Sequence, residues 1–422
     1  MSVFLKKNQI VVTLLLFFLS TGFFQFKYLV QGINYSHYYG FFNIFLLLCL
    51  GCDIIKKEPR CGIVATIRII IIMFVVAMLW ATFFHFQSPI NSVQGMAADL
   101  PLISFFYFMK YKYENKKLTK SIFIAGILYA VIYVYCLFTF PNSIFAYVSN
   151  AEAIDKIMNS VNERGVVRLS LPGADIMVAT FFAILTYFRS NKIWYLLLIP
   201  VIVMIILRGT RTPLFVSVFV GCGYLLYKVK YRWLAIVFLF IMVFGGVRFY
   251  NKIIEGKGTD PISIYIKMTQ AQLKSNDKEG DIRLEMTKYF FTKYNDNPVE
   301  YLVGNGKPAG SSEYSKELIR LSETRSYYIV DVGFTYIFVY YGIVGLILYT
   351  WLFVCILRTP VEEKYMFSKL YVIYGYLLLP TNVSILWIAP FIFSLNLYIV
   401  YRSSLDLRKT IIDTNNKYLK QQ

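Results

Sequence analysis

Hydrophobic positions along this chain come in repeated blocks separated by short polar connections. The blocks are roughly 20 residues long, the length a helix needs to cross the hydrocarbon core of a bilayer. They predict about twelve membrane-crossing helices, with boundaries good to a few residues. These fall at 8–29, 38–55, 61–86, 92–109, 121–140, 171–188, 193–207, 213–227, 233–250, 328–357, 367–385 and 386–401. The seventh and eighth are short, and the fourth carries Asp99 and Pro101. The expected fold is an all-α polytopic membrane protein with one large, partly helical external loop. Residues 1–250 hold the first nine helices, 251–327 the loop, 328–401 the last three helices, and 402–422 a cytoplasmic tail. Within the loop, Pro261–Lys274 and Asp281–Tyr294 read as helical.

Composition agrees with this pattern. The 422 residues are 57% hydrophobic and 18% aromatic, with mean hydropathy +0.55. A formal net charge of +19 would suit a nucleic-acid partner, but most of the lysines and arginines lie in short connections between apolar blocks. That placement carries orientation and attracts an anionic leaflet, so no nucleic-acid partner is expected. One set of connections is basic: Lys56–Arg60, Lys110–Lys120, Arg189–Lys192, Lys228–Arg232 and Arg358–Lys364, with Lys6-Lys7 and Arg402–Lys420 at the termini. This side reads as cytoplasmic. The other set is Gln31–His37, Gln87–Asn91, Pro141–Ser170, Arg208–Thr212, Asn251–Tyr327 and Pro380–Asn382. The Met1–Lys7 segment resembles a signal peptide, but its apolar run is long and lacks a small-residue cleavage site, so an uncleaved first span is expected. The six cysteines lie in or beside apolar blocks, and Cys49 and Cys52 form a CxxC by spacing alone. Membrane packing explains them better than a metal or disulfide does.

Charges that break the apolar pattern are the candidate chemistry. Arg208-Gly209-Thr210-Arg211 places two guanidiniums between two apolar runs. Charge at membrane depth is costly and by default marks a functional site. The external basic residues close to the membrane are mostly arginine, namely Arg164, Arg168, Arg208, Arg211 and Arg248. Arginine offers a planar fork for phosphate oxygens and is easier to desolvate than lysine. For Arg164 or Arg168 alone, snorkelling to the headgroups explains the charge better. A second constellation comprises Arg283, Pro298, Gly304-Asn305-Gly306, Arg325, Asp331 and Gly342–Gly345. Taken alone, its Gly-x-Gly is more often a turn, and its last two glycines are more often helix packing.

Together these residues resemble the O-antigen polymerase and ligase superfamily, membrane glycosyltransferases that use polyprenyl-pyrophosphate-linked sugars. The family's external Arg after a Ser or Gly is similar to Gly209-Thr210-Arg211. The Arg opening its long external loop is similar to Arg283, followed by Met286 and Tyr289 where the family often has Trp. Its Pro and Gly-x-Gly correspond to Pro298, Gly304 and Gly306. The family loop ends in His-Asn-x-Tyr-Leu; counting back from Gly342 and Gly345 puts the His position at Asp331, followed by Val332, Gly333 and Phe334. The His-Asn pair is therefore missing, and the only histidines, His37 and His85, are far away in sequence. The resemblance covers roughly residues 170–360.

The resemblance implies a polysaccharide polymerase joining lipid-linked repeat units at the outer face of a bacterial cytoplasmic membrane, both termini being cytoplasmic. It implies Asp331 as base, Arg211 and Arg283 on the pyrophosphate, and Arg208, Arg325, Gly304 and Gly306 as further substrate contacts. The reaction is expected to be inverting, without cofactor or metal. The expected partners are polyprenyl-pyrophosphate-linked oligosaccharides and membrane lipid, with a chain-length regulator and a flippase as further candidates. Carboxylates commonly move protons in sugar chemistry, so an Asp in place of His is chemically tolerable. A ligase of the same superfamily, and a lipid-linked glycan flippase, are the alternatives.

Overall fold

The computed structural model describes residues 8–23, 25, 42, 46, 62–149, 154–155, 157–158, 169, 171–188, 192–207, 211–228, 236, 281–295, 297–383 and 389–419. Helices account for all its regular structure among these residues. In chain order they are α1 (Gln9–Thr21), α2 (Gly62–Phe83), α3 (Pro89–Met96), α4 (Ser104–Lys110), α5 (Asn115–Thr139), α6 (Ala146–Ser149), α7 (Ile176–Thr186) and α8 (Leu198–Leu207). They continue as α9 (Arg211–Tyr227), α10 (Ile282–Thr292), α11 (Pro298–Val303), α12 (Glu313–Arg325), α13 (Gly333–Arg358), α14 (Met366–Leu378) and α15 (Pro390–Leu419).

Three of these are long and apolar enough to cross a membrane: α2 with 22 residues, α5 with 25 and α13 with 26. At about 1.5 Å rise per residue, even the shortest spans about 33 Å, against a hydrocarbon core of about 30 Å. Their outward faces stay apolar, as Ile69, Ile72, Leu79 and Phe83 show on α2. Lipid, not water, suits such a surface. Five further apolar helices among the described residues are shorter, so the all-helical membrane class holds and the count of about twelve does not follow from this structure. Most of the predicted spans 38–55 and 233–250 lies outside the described residues, as does all of the predicted helix Pro261–Lys274.

Several predicted spans are corrected. The fourth, 92–109, is not one helix: α3 gives way to a turn, a 3-10 segment Leu100–Ile103 and then α4. Pro101 lacks an amide to donate, and Asp99 is turned inward to an ion pair described below. The tenth, 328–357, begins as a 3-10 turn at Ile329–Asp331, and α13 is interrupted at Gly342 (φ 64°, ψ −165°). The last apolar block continues as one helix, α15, through most of the segment expected as a tail.

Contacts sort the connections to two ends. Lys228 pairs with Glu363 at 3.0 Å, so α9 and α14 run antiparallel, and Arg211 starts at the end where α14 finishes. There Gly333 donates to Leu379 at 2.7 Å, bringing the start of α13 to the same end. A Cβ on Gly62 would sit 3.1 Å from Cys355 Sγ, while Phe74 packs on Tyr341 with ring centroids 5.2 Å apart. Thus α2 is antiparallel to α13, and its exit at Phe84–Gln87 shares the Gly333 end. At the opposite end Glu114 donates its amide to Gln9, and Glu362 donates its amide to Ser403. The first grouping gathers the less basic connections and the second gathers the lysine-rich ones.

The break in α13 has a specific filler. Beyond Gly342 the helix can no longer satisfy the carbonyls of Val339 and Tyr340, which would be orphaned in an apolar setting. Asn305 donates its amide to Val339 O at 2.8 Å and its side-chain Nδ2 to the same atom at 3.2 Å. Gly306 donates to Tyr340 O at 3.1 Å. Gly304 has φ 77° and lies so close that a Cβ would strike the backbone nitrogen of Tyr341. Gly304→Ala is expected to destabilise the protein by at least about 1–3 kcal/mol from the backbone conformation alone, with the clash added. Thermal unfolding of the detergent-solubilised protein would show it, and an unchanged midpoint would refute this packing.

Candidate functional site

The end that carries Gly333 gathers most of the sequence-predicted site residues. Asp281 caps α10, its side chain accepting from the amide of Arg283 at 3.0 Å. The hydroxyls of Thr287 and Thr335 are 3.0 Å apart, and one turn further on the rings of Phe291 and Phe338 stack at 4.1 Å. Both contacts advance in the same direction, so α10 and the start of α13 run side by side and parallel. Arg283 lies one turn before Thr287 on α10, and Asp331 lies in the 3-10 turn before α13, beyond the extended Val332. The parallel packing brings both to the same end of the bundle. Asp331 is half-buried in the 3-10 turn that precedes α13, and Arg283 is exposed. Among the described residues neither is in an ion pair.

Arg325, the last residue of α12, closes over the same corner. Its guanidinium lies 5.3 Å from the ring centroid of Tyr289 and 5.9 Å from that of Tyr327. Tyr327 donates its hydroxyl to Glu285 at 3.0 Å, which ties the 326–331 segment to α10. Burial and the Glu285 carboxylate both raise the Tyr327 pKa, keeping it a neutral donor. Arg283, Arg325 and Asp331 thus all lie at this end of the bundle, a loose cluster of two cations and an acid. Arg211 opens α9 at this same end of the bundle; its side chain, like Arg208, Arg164, Arg168, Arg248 and His37, lies outside the described residues.

Gly304 and Gly306 play a different part from the one expected. Gly304 donates to Glu300 O at 2.9 Å and Gly306 to Tyr340 O, so both amides are already engaged within the protein. A phosphate held by these two N–H groups would uncap Glu300 O at the end of α11 and Tyr340 O of α13. Their glycine character follows from the close approach of the two backbones. Nearby, Gly333 has a similar explanation, since a Cβ there would be 2.8 Å from Asn382 O.

Two arrangements escaped the sequence reading. The first is a buried ion pair: Lys307 Nζ is 2.6 Å from Asp99 Oδ2, with side chains 5% and 3% exposed. Tyr336 and Tyr341 both donate to the Asp99 carboxylate, Tyr336 at 3.3 Å. The Lys307 ammonium also sits 4.7 Å from the ring centroid of Tyr336. Gln87 fixes the strand of chain behind it, donating to Lys307 O at 3.0 Å and accepting from Ala309 N at 2.9 Å. Asp99 alone in an apolar run was the one available signal, because an isolated acid there needs a cation.

The second arrangement surrounds His85, which sequence separation had set aside. A cavity of 610 Å³ opens between the exit of α2 and the helices α11 and α12, lined by Phe84, His85, Tyr294, Asn305, Tyr314 and Glu317 among others. The ring of His85 stacks on Tyr314 at 4.5 Å, and its Nε2 is 3.1 Å from Asn305 Oδ1. Asn305 Nδ2 already donates to Val339 O and to Asn295 Oδ1, so Asn305 Oδ1 must accept. Neutral His85 therefore carries its proton on Nε2, leaving Nδ1 as the basic nitrogen. Tyr314 donates to Gly306 O at 2.9 Å. Burial raises its pKa and that of Tyr294, with Glu317 adding to both, so both phenols stay protonated. Among the described residues no group of three His, Cys, Asp or Glu side chains is gathered to hold a metal ion.

Residues 194–350 match the family model described as O-antigen ligase. The match runs from just before α8 to within α13 and includes Arg211, Arg283, the Gly304–Gly306 segment, Arg325 and Asp331. Over this segment the chain is similar to that family, in line with the resemblance read from its motifs. No curated protein matches the chain in sequence.

Proposed function

We propose that this protein is a polysaccharide polymerase that joins polyprenyl-pyrophosphate-linked oligosaccharide units at the outer face of a bacterial cytoplasmic membrane. The observation that supports the reading is the parallel packing of α10 on the start of α13, which carries Arg283 and Asp331 to one end of the bundle, inside a segment similar to the O-antigen ligase family. The end bearing this cluster is the less basic one, and charge bias assigns it to the outside. Both termini then face the cytoplasm.

In this reading an acceptor sugar hydroxyl attacks the anomeric carbon of the donor from the side opposite its pyrophosphate. A bond from the acceptor oxygen to that carbon forms as the bond to the pyrophosphate oxygen breaks. The leaving group keeps the electron pair, and the Asp331 carboxylate takes the hydroxyl proton. Arg211 and Arg283, with Arg208 and Arg325, neutralise the charge growing on the pyrophosphate. Attack from the opposite face inverts the anomeric centre, and no metal is required when guanidiniums supply the positive charge. The amides of Gly304 and Gly306 are given no part in this step, because each already donates within the protein, to Glu300 O and Tyr340 O.

Expression in a strain lacking its own polymerase tests the proposal, with surface glycan length read on a gel. The wild-type chain is expected to restore long polymer, and Asp331→Asn to leave single repeat units. Transfer of a finished glycan to a lipid acceptor, without lengthening, would replace the polymerase by a ligase. Movement of lipid-linked units across the bilayer without any new glycosidic bond would make the protein a flippase.

A further inference from the structure

We infer that the cavity beside His85 is a saccharide-binding site, separate from the arginine cluster, that holds the uncharged sugar chain of a substrate. The inference rests on the proposed function for the identity of that substrate, while the site stands on its own lining.

The lining selects against the pyrophosphate. Glu300, Glu313 and Glu317 all border the cavity, against the cations Lys316 and Arg320. Lys316 is already paired with Glu313 at 2.7 Å. Glu300 and Glu317 have no ion pair among the described residues, and a pyrophosphate beside them would be repelled. The same carboxylates suit a polyol, because each accepts two hydroxyl donors. The hydroxyl oxygens of Tyr294 and Tyr314 and the Nδ1 of His85 add acceptors, and Lys316 and Arg320 add donors. Flat apolar surface is also present: Phe84 stacks on Trp80 at 3.8 Å, and the Tyr314–His85 pair lies across the cavity lining. Aromatic planes with convergent hydroxyl partners suit the two faces of a pyranose ring. A volume of 610 Å³ falls in the range of small-ligand sites, roughly 300–1,000 Å³, and admits more than a single sugar.

The site also lies where a chain would pass. Helix α12 borders the cavity with Glu313, Glu317 and Arg320 and ends at Arg325 in the arginine cluster. A ladder of rings along α10 and its flanks joins the two places: Tyr294 is 6.2 Å from Tyr289, and Tyr289 is 5.6 Å from Tyr327. A glycan anchored by its pyrophosphate at Arg283 can therefore rest its distal sugars in the cavity. Binding here fixes the direction of the chain and contributes uniformly to ground and transition states.

The test uses the full-length protein in detergent, titrated by calorimetry with neutral oligosaccharides released by mild acid from the surface polysaccharide of the cells that make it. Wild type and Arg283→Ala are expected to bind alike, whereas Glu300→Gln/Glu317→Gln binds at least tenfold more weakly. Both glutamates are at least partly exposed, and an unchanged unfolding midpoint confirms that the variant folds. In the glycan assay the double variant is expected to raise KM more than it lowers kcat. Equal binding by wild type and the double variant would overturn the site, as would no binding by wild type. Saccharide binding in a protein that transfers no glycan would leave the site standing and remove the proposed activity instead.

Discussion

Lys307→Met is expected to cost about 3–5 kcal/mol of stability, because it strands the Asp99 carboxylate in the interior without its cation. The two side chains are almost fully enclosed, and Asp99 is held on both oxygens by tyrosines as well as by the ammonium. Removing the cation leaves two hydroxyl donors, which do not offset the lost charge. Asp99→Asn should cost less, since the amide oxygen still accepts, yet it leaves Lys307 charged and buried. The double variant Asp99→Leu/Lys307→Met is expected to recover most of the loss, because buried ion pairs gain little over apolar residues of similar size. With Asp99→Leu added as the matching single variant, unfolding midpoints in one detergent form a double-mutant cycle. A double variant no more stable than Lys307→Met would mean that the pair positions something beyond its own charge.

The other large effect belongs to Arg283. Arg283→Ala is expected to lower glycan transfer by about 10²–10³-fold, the usual cost of removing one preorganised group from developing negative charge. Stability should hardly change, since the guanidinium is exposed and has no ion pair among the described residues. Arg283→Lys should recover only part of the rate, because an ammonium gives a point charge where the fork gives two parallel hydrogen bonds. Initial rates with purified lipid-linked donor would separate this from a folding defect. A rate within threefold of wild type would remove Arg283 from the pyrophosphate site. The parallel register of α10 and α13 makes a further demand: Thr287→Ala/Thr335→Ala should affect transfer through position, with full thermal stability retained to within about 1 kcal/mol.

The sequence pointed to Arg283, Arg325 and Asp331 one by one, and the structure places all three at one end of the bundle. Arg283 and Arg325 were visible as isolated charges at fixed distances from glycines. Nothing in those distances revealed that Tyr327 and Glu285 would fold the end of α12 back against α10. His85 shows the opposite failure. Its separation from the loop argued against any part in the site, yet α2 runs antiparallel to α13 and delivers it to Asn305. Gly304 and Gly306 were legible as a turn or a ligand cradle, and only the break at Gly342 explains them as a helix cap.

Alone, the sequence determined what the solvent decides. Apolar blocks of bilayer length dictate helices, because no other backbone can satisfy its own polar groups in hydrocarbon. Lysine-rich connections set the expected sorting of the ends, and the arginines of the other set carry the expectation of an anion. Tertiary structure decided everything that depends on partners distant in the chain. Asp99 broke the predicted 92–109 span because its cation lies on a loop far downstream, and α13 could break at Gly342 because another segment caps it. The physical reason is the same in both places. A local pattern reports the free energy of transfer into lipid, whereas a buried charge or an unpaired carbonyl is tolerated only when the fold brings its partner.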